Sequence, residues 1–311
     1  MTQRRIPVRA PYRLDLTVNV LRRLSTNLVD VLSPDGTYVR WLGDASKVAL
    51  VRVSQPNPET LTTVIEGDRR DHPRLLKLVR RTLGVDVDLT PFYRSASKVQ
   101  WLHPLVSRMR GVRPPRYPTV WEACVNAIVF QQISLHAASA IMGRLTMELS
   151  EPVEHTGVLL YPFPSPEQVL GAPDSLLRGA GLSAGKLTTL RRVCDALGER
   201  ALEERRLEAL PSPEAGALLR SIKGIGPWTA AVILLRGLGR LDVFPANDTS
   251  VARNLALVDG PAPLAVRTLL DRLGPEQGML YYHLLLARLE TRGDLGPSAG
   301  SPRQAAEPSG T

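Results

Sequence analysis

The chain of 311 residues contains only two cysteines, Cys124 and Cys194. Two thiols cannot build a disulfide framework, a four-thiolate zinc site or the ligand set of an iron–sulfur cluster. They read instead as reduced side chains on helix faces. The five histidines are scattered, with no close pair at metal-ligand spacing. Long apolar runs are also missing. Segments such as 230–235 and 284–287 fall far short of the roughly 20 residues that span a bilayer. The charged start, with Arg4 and Arg5, is followed by no apolar signal core, so a cytoplasmic location is expected, nucleoid-associated in a bacterium.

What is plentiful narrows the class further. A hydrophobic content of 43% over this length supports a large core and about two domains. The formal net charge of +9 favours a polyanionic partner, with nucleic acid the first candidate, because Lys and Arg that neutralise phosphates release condensed counterions. Charge alone does not identify the partner.

Residues 11–83 read as a mixed α/β unit, with strand-like segments at 12–20, 38–42, 47–53 and 60–65 and then a basic helix at 73–83. Turn signals at 33–36 and 55–58 separate them. Residues 84–96, with Asp86, Asp88, Pro91 and a helix cap at Ser95 or Ser97, read as the link to a second region. From there to about residue 290 the pattern is helical, with apolar residues at helical spacing in 99–109, 120–129, 135–149, 186–197, 215–222, 227–238, 251–258, 265–273 and 279–289. Residues 296–311 are rich in Gly, Pro, Ser and Ala without periodicity, the composition of a disordered tail. The expected architecture is α+β: a mixed α/β domain over 1–95, a helical domain over 96–290 and a tail over 291–311.

Within the helical part, residues 218–231 (LLRSIKGIGPWTAA) read as a helix, a tight Gly-x-Gly turn and a second helix. Pro227 suits a first helical turn, where its missing N–H is no loss. The glycines permit positive φ and present backbone N–H groups at a helix N-terminus, an arrangement that grips phosphate. Gly224, Ile225, Gly226 and Thr229 are the expected phosphate contacts. Alone, such a turn is more often a plain helix connection. Its weight comes from Asp248, 22 positions after Gly226, in the segment Phe244-Pro245-Ala246-Asn247-Asp248 at the start of another helix. Taken in isolation, Asp248 reads as a helix cap, as Asn247, Thr249 or Ser250 also would.

Together the helix–hairpin–helix and the Phe-Pro-x-x-Asp loop resemble the helix–hairpin–helix DNA glycosylase superfamily, and most closely its DNA-3-methyladenine glycosylase II branch. The segment 121–134, ending Phe130-Gln131-Gln132-Ile133-Ser134, and the turn Gly181-Leu182-Ser183-Ala184-Gly185-Lys186 resemble the same branch. The likeness runs over about residues 100–290. It implies that double-stranded DNA containing damaged bases is the partner and that Asp248 is the catalytic carboxylate. It further implies that Gln132 wedges into the gap left by an extruded base and that Gln131 lies near the base pocket. Trp228 stands where bifunctional members of the superfamily carry a Schiff-base Lys, which implies a glycosylase without lyase activity. Its indole suits stacking on an electron-poor base, although a core Trp packed between helices is the plainer reading.

The chemistry suits these residues. A purine alkylated at N3 or N7 is cationic, leaves as a neutral base and requires little general-acid help. An ionised Asp beside the sugar stabilises the developing oxocarbenium charge and orients water. No metal or cofactor is required, although the resemblance leaves room for a structural cation between the hairpin carbonyls and a DNA phosphate. A monomer is expected, since one flipped base needs one pocket. In one place the chain departs from the pattern: where well-known members carry a second pocket Trp, it reads Pro275-Glu276-Gln277-Gly278-Met279-Leu280-Tyr281-Tyr282. The pocket is therefore less aromatic unless a Tyr substitutes. The alternatives are a non-catalytic helix–hairpin–helix DNA-binding protein and a glycosylase for deaminated or oxidised bases. Arg108, Arg110, Arg113 and Arg116 offer a DNA path, but such a charge run is more often a solvated face.

Overall fold

The computed structural model describes residues 2–44, 47–155, 158–246, 249–258 and 266–295. Asp248, Asn247 and the expected tail from residue 296 onward lie outside the described residues. Five antiparallel strands, β1 (Thr2–Pro7), β2 (Val31–Leu32), β3 (Tyr38–Asp44), β4 (Lys47–Asn57) and β5 (Thr60–Glu66), form one sheet in the order β1-β5-β4-β3-β2. Alternation sets the face of each strand. In β5, Leu61, Thr63 and Ile65 are buried while their neighbours are half-exposed. The register sets Ile6 opposite Leu61 and Val51 opposite Ile65, which gathers an apolar face. β1 closes one edge with Gln3, Arg4 and Arg5 exposed, and charge on an edge strand discourages pairing with a second chain.

Two expectations for this region are corrected. Of residues 12–20, expected as a strand, 14–20 belong instead to helix α1 (Leu14–Arg22), every residue of which is buried. The alternation Leu14-Asp15-Leu16-Thr17-Val18-Asn19-Val20 imitates a half-buried strand only while the polar members are assumed to face water. Here they are buried and satisfied at helical spacing. The Thr17 hydroxyl donates to the Arg13 carbonyl (2.8 Å) and the Asn19 amide to the Asp15 carbonyl (2.9 Å), both four residues back. The linker expected over 84–96 contains helix α3 (Thr90–Ala96), whose start is ordered by the Asp88 side chain accepting from the Thr90 N–H (3.0 Å). Ser97 ends that helix, and Ser95 lies within it. Neither serine caps the next helix.

The basic helix is α2 (His72–Thr82). The helical part continues with α4 (Leu102–Arg108), α5 (Val120–Val129), α6 (Leu135–Leu149), α7 (Pro166–Gly171), α8 (Asp174–Gly179), α9 (Ala184–Gly198), α10 (Glu204–Ala209), α11 (Ser212–Arg220), α12 (Pro227–Gly237), α13 (Thr249–Ala256), α14 (Val266–Leu273) and α15 (Gly278–Thr291). A small hairpin of β6 (Val153–His155) and β7 (Val158–Leu160) interrupts it. α5 is buried along its whole length, its two polar side chains included: Asn126 donates to the Glu122 carbonyl (3.0 Å) and Glu122 accepts from Arg40. It packs closely against α12, where a Cβ added at Gly237 would lie 2.6 Å from the Ala123 Cβ. One buried cluster joins sheet residues such as Val51 and Ile65 to α5, α9 and α12, and a second joins α1, α3 and α4 to α13, α14 and α15.

Between sheet and helices lies a buried ionic joint. Arg40 on β3 donates to Asp30 (2.6 Å) and to Glu122 on α5 (2.5 Å), and the Tyr38 hydroxyl donates to Asp30 (2.8 Å). Nearby, the buried Arg236 of α12 donates to the carbonyls of Val20 and Leu21 (2.8 and 3.1 Å), a cation set at the C-terminal end of α1.

Candidate functional site

The site begins at the turn between α11 and α12. Gly224 has φ +107°, and a Cβ there would meet the Thr189 Oγ1 of α9 at 2.0 Å. Only glycine fits, because both the backbone conformation and the contact exclude a side chain. Ile225 is buried and its N–H closes the turn on the Ile222 carbonyl (3.0 Å). Gly226, by contrast, is extended (φ −87°, ψ 179°) and open, with nothing within 4 Å of an added Cβ. Pro227 then opens α12. Of the four expected phosphate contacts, Gly224 and Gly226 are exposed at the turn while Ile225 and Thr229 are buried beneath it.

The second component is the segment between α5 and α6. Thr119 caps α5 by accepting from the Glu122 N–H, and Ser134 caps α6 by accepting from the Ala137 N–H. Between them Gln132 is exposed at φ +57°, a left-handed conformation that non-glycine residues adopt at a cost and usually in functional segments. Gln131 reaches across to the hairpin: its amide nitrogen donates to the Gly224 carbonyl (3.1 Å) and to the Thr229 hydroxyl (2.8 Å). The Gly-Leu-Ser-x-x-Lys turn has a mechanical part in this. Ser183 caps α9, and the Lys186 ammonium donates to the Val129 carbonyl (2.8 Å) at the end of α5. Partial burial lowers the Lys186 pKa.

Hairpin, Gln131-Gln132 segment, α13 and α15 enclose a cavity of about 980 Å³. Trp228 forms part of its wall and also packs against the core, so the two readings of this residue meet in one position. Its indole N–H is buried without an acceptor among the described residues. Tyr281 of α15 supplies aromatic surface in the stretch where a second Trp is missing. Ser250 and Val251, two and three residues after Asp248, line the cavity at the start of α13.

This arrangement of hairpin and cavity coincides with a recognised family. Residues 125–273 match the HhH-GPD superfamily of base excision DNA repair proteins. Over that stretch, nearly half of its length, the chain is similar to this superfamily. It is 31% identical over 254 residues to a probable bifunctional transcriptional activator/DNA repair enzyme AlkA of Mycobacterium tuberculosis, a match that takes in 78% of this chain and 48% of the relative. The chain thus spans about half the length of that relative. It is 24% identical over 215 residues to a DNA-3-methyladenine glycosylase of Bacillus subtilis, covering 68% of this chain and 71% of the relative. Among solved structures, a 3-methyladenine DNA-glycosylase from Archaeoglobus fulgidus superimposes with a TM-score of 0.78 at 26% identity, over 92% of this chain and 99% of that one.

The basic lining of the cavity carries no signal in the sequence. Arg23, Arg253, Arg288 and Arg292 line it, whereas the run at 108–116 is used structurally. Arg108 pairs with Glu290, Arg110 lies over the Tyr93 ring, buried Arg113 donates to the Arg9 carbonyl, and Arg116 donates to the Gly237 carbonyl and pairs with Glu208. Arg23 is buried at φ +64° with its guanidinium carbon 3.7 Å from the Phe130 ring centre. No periodicity could have singled it out, since it sits in the irregular stretch after α1. Among the described residues no group of three or more His, Cys, Asp or Glu is placed to hold a metal. Both cysteines are free and buried, which pushes their thiols up to about 12. The hairpin carbonyls of Lys223 and Gly224 accept side-chain donors, and each keeps a second lone pair.

Proposed function

We propose that this chain is a monofunctional DNA glycosylase that extrudes alkylated bases, of the 3-methyladenine and 7-methylguanine type, from duplex DNA and removes them by hydrolysis. The observation that carries this reading is the shared cavity enclosed by the hairpin, the Gln131-Gln132 segment, Trp228 and the start of α13. A base within a duplex is shielded by stacking, so its nucleotide must be rotated out and the distorted backbone held. The open turn at Gly224 and Gly226 holds a phosphate, Gln132 fills the gap, and the cavity receives the base between Trp228 and Tyr281. Asp248 stabilises the oxocarbenium charge as the glycosidic bond breaks and orients the attacking water. With an indole at position 228 there is no amine to form a Schiff base, so the product is an abasic site in an intact strand. The relatives named as 3-methyladenine glycosylases support this lesion class. The helical region 96–290 carries the reaction, the N-terminal residues 1–95 buttress it through the Arg40 joint, and the protein acts as a cytoplasmic monomer.

The test is Asp248→Asn, assayed by single-turnover release of 7-methylguanine with strand integrity followed in parallel. Asn keeps the shape and the capping ability of Asp. Loss of a preorganised charge beside a developing cation raises the barrier by about 2.7–4 kcal/mol, a hundred- to thousandfold drop in rate, with affinity for abasic DNA retained. A variant within a few-fold of wild type would reduce Asp248 to a helix cap. Strand cleavage by the wild type without alkali would remove the monofunctional assignment.

A further inference from the structure

Gln131 is placed near the base pocket by its resemblance to relatives, yet its amide nitrogen is already engaged. It carries two hydrogens and has two acceptors, the Gly224 carbonyl at 3.1 Å and the Thr229 hydroxyl at 2.8 Å. The orientation of the amide follows from chemistry, because a backbone carbonyl can only accept and so must face the nitrogen. The two acceptors lie on either side of Gly226 and Pro227, in the turn and the first turn of α12. Gln131 therefore spans from the end of α5 to the element that holds phosphate. Its chain neighbour is Gln132, exposed at the cavity rim with a left-handed backbone.

Both ends of this short bridge are anchored. On the α5 side, Lys186 holds the Val129 carbonyl (2.8 Å). On the hairpin side, Arg192 of α9 donates to the Lys223 carbonyl (3.2 Å), and Thr189 of the same helix presses on Gly224. A residue held in a sparsely populated conformation persists only where its surroundings over-determine it, and these contacts supply that constraint at Gln132. Opening a stacked and paired nucleotide works against both stacking and pairing, a load that a freely swinging loop would yield to.

We propose that Gln131 is a positioning residue that couples the hairpin to Gln132, so that gripping the backbone and wedging the duplex open occur as one event. This rests on the reading of Gln132 as the wedge and of the chain as a glycosylase. The role acts on the opening of the strand and not on the breaking of the glycosidic bond. Its signature is a dependence on how firmly the target base is paired.

The experiment compares single-turnover excision from two duplexes, one with 7-methylguanine opposite cytosine and one with the same base opposite an abasic analogue, where pairing is already lost. Gln131→Ala removes both donors, and Gln131→Glu sets a carboxylate against the Gly224 carbonyl. Each should slow the paired duplex roughly tenfold or more, as loss of two hydrogen bonds allows, and the unpaired duplex by less than about threefold. Thr229→Val keeps the side-chain shape, removes one acceptor and should fall between, which covers the case in which a Gln131 variant folds poorly. Equal slowing on both duplexes, or none on either, overturns the coupling. Gln132→Ala separates the readings: if it shows the pairing dependence and the Gln131 variants do not, the wedge stands and the coupling falls. If Gln132→Ala shows no such dependence, the wedge reading fails and the coupling with it. If the wild type excises from neither duplex, the glycosylase reading fails first.

Discussion

At the joint between sheet and helices, Arg40 is fully buried and faces two carboxylates, Asp30 and Glu122, at 2.6 and 2.5 Å. Around the cavity, Arg253 and Arg292 are exposed and Arg288 is half-buried, and no Asp or Glu lines that opening among the described residues. The same side chain thus serves opposite ends. A guanidinium taken out of water must be matched by charge and hydrogen bonds, or the desolvation penalty exceeds the attraction. One left at the mouth of a cavity builds a positive potential that draws in a polyanion. The joint is therefore a device of architecture and the cavity a device of encounter. Damage to each should appear in a different measurement.

The largest expected effect is at the joint. Arg40→Met leaves Asp30 and Glu122 buried without their shared counter-charge, and removing one partner of such a group costs about 3–5 kcal/mol. Urea denaturation should show that loss, while the fraction that remains folded excises bases at the wild-type rate. A stable variant with slow excision would mean that the joint belongs to the active site, and the contrast would break.

A second expectation concerns α15, which carries Tyr281 and Arg288 at the cavity and His283 on its core side. His283 is fully buried, 5.0 Å from the Phe92 ring, with Nδ1 at 2.8 Å from the Met279 carbonyl. Burial lowers its pKa from 6.5 to about 4. Because the folded value is the lower one, its contribution is present above the unfolded pKa and is lost as pH falls from there through the folded value. Between pH 7 and pH 5 this amounts to about 2 kcal/mol. His283→Gln, which does not titrate, should flatten the stability profile by that amount. Identical slopes for variant and wild type would show that the buried ring does not govern the acid limb.

The smallest effect sharpens the cavity side. Trp228→Ala should slow excision of cationic methylated purines more than that of neutral hypoxanthine, by about 0.5–2 kcal/mol in barrier, since stacking on a cation gains an electrostatic part that a neutral base lacks. Equal losses on the two lesions would assign Trp228 to the core alone.

The elements most legible in the sequence are those whose ends carry their own chemistry. α5 and α6 run over the expected 120–129 and 135–149 because Thr119 and Ser134 cap them and their periodicity is unbroken. The α11–α12 hairpin is equally plain, since Gly224 supplies a positive φ that other residues avoid and the ring of Pro227 fixes its φ for a first helical turn. α1 imitates a strand because alternation of apolar and polar residues implies one only if the polar side faces water. Whether it does is a matter of what packs on it, and here Asp15, Thr17 and Asn19 are inside. β1 is invisible to pattern because Thr2-Gln3-Arg4-Arg5 has no apolar stripe. It is a strand through its pairing with β5.

By itself the sequence determined the local devices: the caps, the glycine turn, the helical stripes and the positive charge, each of which depends on neighbours a few residues apart. Tertiary structure alone decided which of these meet. It turned Gln131 onto the Gly224 carbonyl, 93 residues away, set Arg23 on Phe130 in the cavity wall, and consigned the arginines of 108–116 to structural contacts. The physical reason is that a hydrogen bond or a stacked ring is specified by distance in space, and distance along the chain carries almost no information about it beyond a helical turn or a strand pair.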